Sequence, residues 1–236
     1  MLKSLNSKRI MIVVAHPDDE LLGLGGTMNR LINQENVITH VIILGEGITS
    51  RSNIRDTEKW KKELSIHREN IKQAQKSIGY HSVSIFDFPD NRFDTVGLLD
   101  IIKVIETEKK KFKPDVIFTH HGGDVNIDHQ RTFEAVVTSC RPMENEKVKL
   151  IITFETPSGT EWRASSDPKH FIPNLFFSIS AENLESKIKG MESYEFEKRK
   201  FPHPRSPKAL KIQAQRWGVA IGEELAEAFQ IIRYIN

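Results

Sequence analysis

The sequence predicts an α/β fold, a single Rossmann-like domain whose mostly parallel sheet carries helices on both faces. Three observations predict it. Short apolar runs rich in β-branched residues alternate with segments of helical spacing through the first two thirds of the chain. The apolar runs are nearly continuous, as strands buried on both faces are. The chain has 236 residues, 38% of them hydrophobic, enough for one sizeable core, with no repeat, low-complexity tract or long linker to divide it.

The elements follow in order. Residues 9–15 read as a buried strand and 20–33 as the helix after it. Residues 37–44 form a second strand, leading into a polar, Gly-containing loop that runs through Arg55. Residues 57–78 have helical spacing, closed by Gly79. A third strand covers 82–86, a helix 96–111, and Pro114 introduces a strand over 115–119. After the loop 120–128, Asp128 is placed to cap a helix over 129–139. Residues 148–154 form a further strand. The stretch 155–174 loses periodicity; 175–179 then reads as a strand, 181–194 as a helix, 202–206 as a rigid connector and 207–234 as one long final helix. The reading is a single domain over 1–236, with a core at 8–155 and site loops and helices at 156–236.

Composition narrows the function. Thirty-four Lys and Arg stand against 32 Asp and Glu, a net charge of +2, so no global field toward nucleic acid or an anionic membrane is expected. No apolar run has the length of a membrane span, and the N-terminal run turns polar at His16, too soon for a leader. Cys140 is the single cysteine, which excludes an internal disulfide and points to a cytoplasmic protein.

Two polar clusters sit at strand ends, where open parallel sheets bind their ligands. His16-Pro-Asp-Asp-Glu20 follows the first strand, and His120-His-Gly-Gly-Asp-Val-Asn-Ile-Asp-His129 follows the strand ending at Thr119. His16 and Asp19 lie three residues apart across a proline turn that can aim both at one point, and His129 can supply a third ligand. Two His and one carboxylate without a thiolate make the donor set of an open catalytic zinc site. There a water loses its proton near neutral pH, and Asp18 is available as its general base. Acids before a helix are also common N-terminal caps, so HPDDE alone reads either way. A glycine-rich nucleotide loop is a rival reading of Gly23, Gly25 and Gly26. They lack the G-x-G-x-x-G spacing and fall inside the predicted helix, where they suit close packing instead.

These residues carry a resemblance. AHPDDE after an N-terminal strand and PDVIFTHHGGDVNIDH later resemble the PIG-L/LmbE family of zinc-dependent N-deacetylases. FPDNRFD, FETPSGTEW, the Arg68/Glu69 helix and PHPRS support it. The resemblance implies an LmbE-like fold with His16, Asp19 and His129 on one zinc ion and Asp18 as general base. It implies removal of acetate from an N-acetylated amino sugar of the GlcNAc type, free or nucleotide- or lipid-linked. A trimeric or hexameric homo-oligomer is a further implication.

One departure matters. Many family members have His-x-Asp-His where this chain has Asn126-Ile-Asp128-His129. Asn126 can donate a hydrogen bond to an oxyanion but delivers no proton near neutral pH. The acid is then Asp18 once protonated or an outside group, with His203 the leading one, stiffly held between two prolines. Asp128 is a candidate to orient a ligand from behind. Arg68, Asp90, Asn91 and Arg92 are the candidate substrate contacts, and Trp162 can stack on a sugar face. His120 and His121 adjoin the cluster without an assigned role. The competing function is a non-catalytic module that binds metal or a nucleotide sugar.

Overall fold

The computed structural model describes residues 5–6 and 8–236; residues 1–4 and 7, part of the basic N-terminal segment weighed above as a leader, lie outside it. β1 (Arg9–Val14) is the pivot of one seven-stranded sheet, buried almost throughout because it has a strand on each side and helices on each face. β2 (Ile38–Gly45) and β3 (Ser82–Phe88) extend the sheet on one side. On the other side lie β4 (Val116–His120) and β5 (Leu150–Phe154), and these five strands are parallel. β6 (Leu175–Ser178) and β7 (Ala226–Tyr234) complete it antiparallel, in the order β3-β2-β1-β4-β5-β7-β6.

Alternate residues of β1 point into two apolar layers. Ile10, Ile12 and Val14 join the layer under α1 (Asp19–Leu22), α2 (Gly25–Glu35), α3 (Lys61–Ile78) and α6 (Ala181–Ser193). Met11, Val13 and Ala15 join the layer under α4 (Leu98–Phe112) and α5 (Ile127–Ser139). α7 (Pro207–Ile221) packs beside β7. Sheet growth reverses between β1 and β4, which pair directly from Ile10 opposite Val116 to Val13 opposite Thr119. A crevice opens at such a reversal, outside the strand C-termini, and both polar clusters empty into it. No helix among the described residues is long and apolar enough to cross a membrane.

Three expectations are corrected. The helix expected over 20–33 is two, α1 and α2, broken at Gly23 and Leu24. A Cβ on Gly23 would stand 2.1 Å from the Phe154 ring, and one on Gly26 2.8 Å from Ile179. These glycines let the helices touch the sheet, which is the packing role expected of them. The helix expected over 207–234 ends at Ile221, where Gly222 takes the left-handed conformation (φ 77°). The rest is β7. Its Leu225-Ala-Glu-Ala run favours a helix by propensity, but between β5 and β6 its backbone completes two ladders and buries Ala226, Ala228 and Phe229. Finally, the cap of α5 is Asn126, whose Oδ1 accepts the Asp128 N–H at 2.8 Å; Asp128 lies inside the first turn with its carboxylate turned elsewhere.

Candidate metal centre and active site

The chain leaves β1 through Pro17 and places Asp18 in the left-handed region at φ 100°. Glu20 holds that conformation, its Oε2 accepting the Asp18 N–H at 2.9 Å while Oε1 receives the Tyr194 hydroxyl. Asp18 occupies the N-cap position of α1, yet its side chain makes no capping bond to the helix. The carboxylate is left for other work. Asp19 folds back over the end of β1, its Oδ2 accepting the His16 N–H at 2.8 Å.

From there three donors converge. His16 Nδ1 and His129 Nε2 each lie 3.4 Å from Asp19 Oδ2, and one donor atom of each residue lies within 4.8 Å of the others. Ligands bound at about 2.0–2.1 Å around a tetrahedral ion stand roughly 3.4 Å apart. The spacing therefore suits a divalent metal ion.

The rings are held for ligation from behind. His16 Nε2 lies 2.8 Å from Asp128 Oδ2 and 3.4 Å from Asp90 Oδ1, so these carboxylates hold a proton on Nε2 and turn Nδ1 toward the other donors. Asp128 is itself fixed by the backbone N–H groups of Asn91, at 2.6 Å, and Phe93, at 2.8 Å. His129 Nδ1 lies 3.1 Å from Asp124 Oδ2, which leaves Nε2 to the centre. His120 stacks on His129 with centroids 3.9 Å apart, but its Nε2 accepts the Ala15 N–H at 2.9 Å and is not free to ligate. His121 points away, onto the Lys169 carbonyl at 2.7 Å.

The protonation pattern shows a pocket built for positive charge. Burial opposes charge on His129, yet Asp19 and Asp124 lift its pKa to about 9. Burial likewise opposes charge on His16, but bonds to Asp128 and Asp19 raise it well above its ordinary value. Asp19 is held well below the usual carboxylate range, burial being outweighed by His129 and His120. Burial and the charge of His129 push His120 down to about 4, in keeping with its neutral, accepting role. Protons on His16 and His129 stand where a cation belongs, and a metal ion displaces such protons on binding.

Asp18 borders this centre, 2% exposed, with Oδ2 accepting from Arg205 Nη1 at 2.9 Å. Burial raises its pKa well above the ordinary value, and the guanidinium of Arg205 opposes that rise. A cavity of about 300 Å³ opens over His16 and Asp18, walled by Asp90, Asn91, Asn126, Trp162, His203 and Arg205, with Arg51, Arg199 and Glu197 toward its mouth. Asn126 Nδ2 donates to Asn91 Oδ1 at 3.1 Å. His203 accepts the Arg205 N–H on Nδ1 at 3.2 Å.

The structure thus brings His16, Asp18, Asp19, Asn126, Asp128, His129, His203, Asp90 and Asn91 to one crevice. It leaves two candidates outside the wall. Arg68 is largely exposed and paired with Asp87 at 3.3 Å, and Arg92 bonds the Asn53 carbonyl at 3.1 Å. Sequence reasoning passed over Asp124, the Arg205 contact with Asp18, and Glu197, which holds Arg51 at 2.5 Å and Arg205 at 2.7 Å. The signal for Asp124 was present, an acid five residues before His129 in the same loop; for Arg205 and Glu197 there was none, since their contacts depend on how the 194–206 segment crosses the crevice.

Residues 11–140, more than half of the chain, match the family model described as PIG-L, GlcNAc-PI de-N-acetylase. The uncharacterized deacetylase YaiS of Escherichia coli (strain K12) is 26% identical over 200 residues, 82% of this chain and 95% of that protein. Among solved structures, N,N'-diacetylchitobiose deacetylase from Pyrococcus horikoshii superposes with a TM-score of 0.74 at 17% identity, over 96% of this chain and 84% of that one. GalB, the 4-carboxy-2-hydroxymuconate hydratase of Pseudomonas putida KT2440, superposes with a TM-score of 0.73 at 18% identity, over 97% and 98% of the two chains. At such identities the structural likenesses establish the fold alone, and the fold carries more than one reaction. The family match over the residues that carry both polar clusters decides the affiliation: this chain belongs to the PIG-L family of de-N-acetylases.

Proposed function

We propose that the protein is a zinc-dependent N-deacetylase that releases acetate from an N-acetylated amino sugar of the GlcNAc type. The observation that carries this reading is the convergence of His16 Nδ1, Asp19 Oδ2 and His129 Nε2 next to the buried Asp18, with His16 and Asp18 lining a polar cavity. A divalent ion held by His16, Asp19 and His129 supplies Lewis acidity toward the amide carbonyl and lowers the pKa of water.

The chain's own groups do the rest. Arg205 holds Asp18 by Oδ2, and the Asp18 carboxylate, on the cavity wall, takes the proton of the attacking water. Asn126 is fixed by its bonds to Asp128 and Asn91, and its remaining amide N–H is the donor to the oxyanion that forms as the carbonyl is attacked. Asp128 holds His16 and the 91–93 backbone in one register. Departure of the amine needs a proton, and Asp18 returns the one it took. His203 stands on the same wall, but burial and the charges of Arg205 and Arg199 lower its pKa, leaving it neutral near pH 7 and a poor acid. Asp90, Asn91 and Arg51 are placed to bond sugar hydroxyls, and Trp162, 59% exposed on the wall, offers a face for the ring. Arg68 and Arg92 stand outside the wall, so their expected substrate role passes to Arg51 and Arg199.

The rival reading is a hydratase, since the fold is shared with GalB and the same donors can serve addition of water to a double bond. An acetate-release screen over N-acetylhexosamines, free, UDP-linked and lipid-linked, separates the two. Acetate should appear with zinc-loaded protein and vanish on treatment with a chelator. Zinc-loaded protein that releases acetate from none of them overturns the reading.

A further inference from the structure

The turn Thr156-Pro-Ser-Gly-Thr160 leaves β5 and passes beside His120 and, through Asp124, His129 without reaching the converging donor atoms. Thr160 Oγ1 accepts the Thr156 N–H at 2.8 Å and donates to Asp124 Oδ2 at 2.7 Å. That same Asp124 oxygen lies 3.1 Å from His129 Nδ1. Thr156 Oγ1 lies 3.0 Å from His120 Nδ1, and His120 stacks flat on His129, with 7° between the rings. Ser158, held at φ 72°, accepts from Arg205 Nε at 2.7 Å, and Arg205 grips Asp18. A Cβ on Gly159 would meet both Asp124 carboxylate oxygens, at 2.7 and 2.8 Å, so only glycine lets the turn close on Asp124. Thr156, Thr160, Asp124 and His120 are all buried.

We propose that this turn is a positioning device for the metal centre: Thr160, through Asp124, fixes the ring of His129 with Nε2 toward the ion, while Thr156 braces the same ring through His120. Ser158 adds a hold on Asp18 by way of Arg205. The inference rests on His129 being a metal ligand, and so on the proposed function. A hydroxyl in this place matters because, among the described residues, two hydrogen bonds hold the Asp124 carboxylate, from Thr160 and the Asn126 N–H, and set it 3.1 Å from His129 Nδ1. Without the hydroxyl it can rotate and release the imidazole, and outer partners of this kind set metal affinity over a range of about 10- to 100-fold.

The test titrates the purified chain with Co²⁺, followed by its visible absorption, and with Zn²⁺ against a chromophoric chelator. Thr160→Val keeps the shape and removes the donor. It should weaken both ions about 10- to 100-fold and alter the Co²⁺ spectrum, with the metal-free protein melting within a few degrees of wild type. Thr160→Ser should restore affinity and spectrum, which a purely structural role for the side chain does not require. Asp124→Asn, which keeps the volume, should match Thr160→Val and serves if the valine variant does not fold. Unchanged affinity and spectrum in folded Thr160→Val or Asp124→Asn overturn the inference. Wild-type protein that binds neither ion removes the inference and the proposed function together. Wild-type protein that binds both but releases no acetate removes the proposed function and leaves the inference standing.

Discussion

Arg205 donates from Nη1 to Asp18 Oδ2 at 2.9 Å, while its Nε is anchored on Ser158 and the same Nη1 reaches Glu197 at 2.7 Å. The contact explains how an acid with φ 100° and 2% exposure is kept in one orientation beside the candidate metal donors. It also governs how Asp18 is best tested. Alanine tolerates that backbone poorly, whereas asparagine visits the left-handed region readily and keeps the hydrogen bond from Arg205. Asp18→Asn should fold, retain the metal and lose acetate release by about 10²- to 10⁴-fold, the usual worth of a general base. Turnover within a factor of about three of wild type would remove Asp18 from that role.

His203 gives the second prediction. Its Nδ1 is engaged by the Arg205 N–H, and the Asp18 carboxylate is held by Arg205 instead. If Asp18 returns the proton to the amine, His203→Ala lowers kcat by less than about tenfold and leaves the alkaline limb of the pH–rate profile where it was. A shifted or missing alkaline limb assigns the proton to His203 instead.

What the sequence made legible is what neighbours in sequence decide. His16, Pro17 and Asp19 form one turn, and a strand run before them is enough to place that turn at the carboxyl end of the sheet. His129 came from the same logic applied to the strand expected to end at Thr119. The pairing of β1 with β4 then brought the two together. Arg205 was not legible, because its grip on Asp18 depends on the 194–206 segment folding back across the crevice. Arg68 and Arg92 misled for the opposite reason: they belong to segments near the site, but their side chains settle on Asp87 and the Asn53 carbonyl. β7 failed on propensity, since Ala, Glu and Leu favour a helix wherever tertiary contacts do not intervene.

That last strand carries a buried charge whose purpose the structure makes plain, and a third prediction. Glu227, on β7, accepts the N–H groups of Gly26 and Thr27 at 3.2 and 2.7 Å, at the start of α2, and Lys187 Nζ at 2.6 Å. Both side chains are 5% exposed. Glu227→Gln leaves one acceptor oxygen where the Gly26 and Thr27 N–H groups use two, removes the charge that balances the Lys187 ammonium, and should cost about 3–5 kcal/mol in urea unfolding. Adding Lys187→Met removes the stranded charge and should recover most of the loss. A single-variant cost below about 1 kcal/mol would show that Lys187 finds water instead.

The fourth prediction concerns pH. His40, on β2, sits between Ser82 Oγ at 2.8 Å and Glu108 Oε2 at 3.1 Å, against the Phe112 ring. Burial lowers its pKa below the ordinary 6.5, more than Glu108 raises it. As pH falls through 6.5, the unfolded chain therefore takes up a proton that the folded chain resists, and stability drops toward the lower, folded pKa. One such group sets a slope of at most about 1.4 kcal/mol per pH unit. Glu108 acts in the same direction at lower pH. Burial raises its pKa, but the bonds from Lys111, Ser84 and His40 outweigh this and hold it below 4.5, so its contribution is present above that value and lost as pH falls through the folded pKa. Urea midpoints measured from pH 8 to 5 should fall less steeply for His40→Gln than for wild type, with the difference opening below about pH 6.5. Parallel curves would mean that His40 is solvated enough to titrate alike in both states.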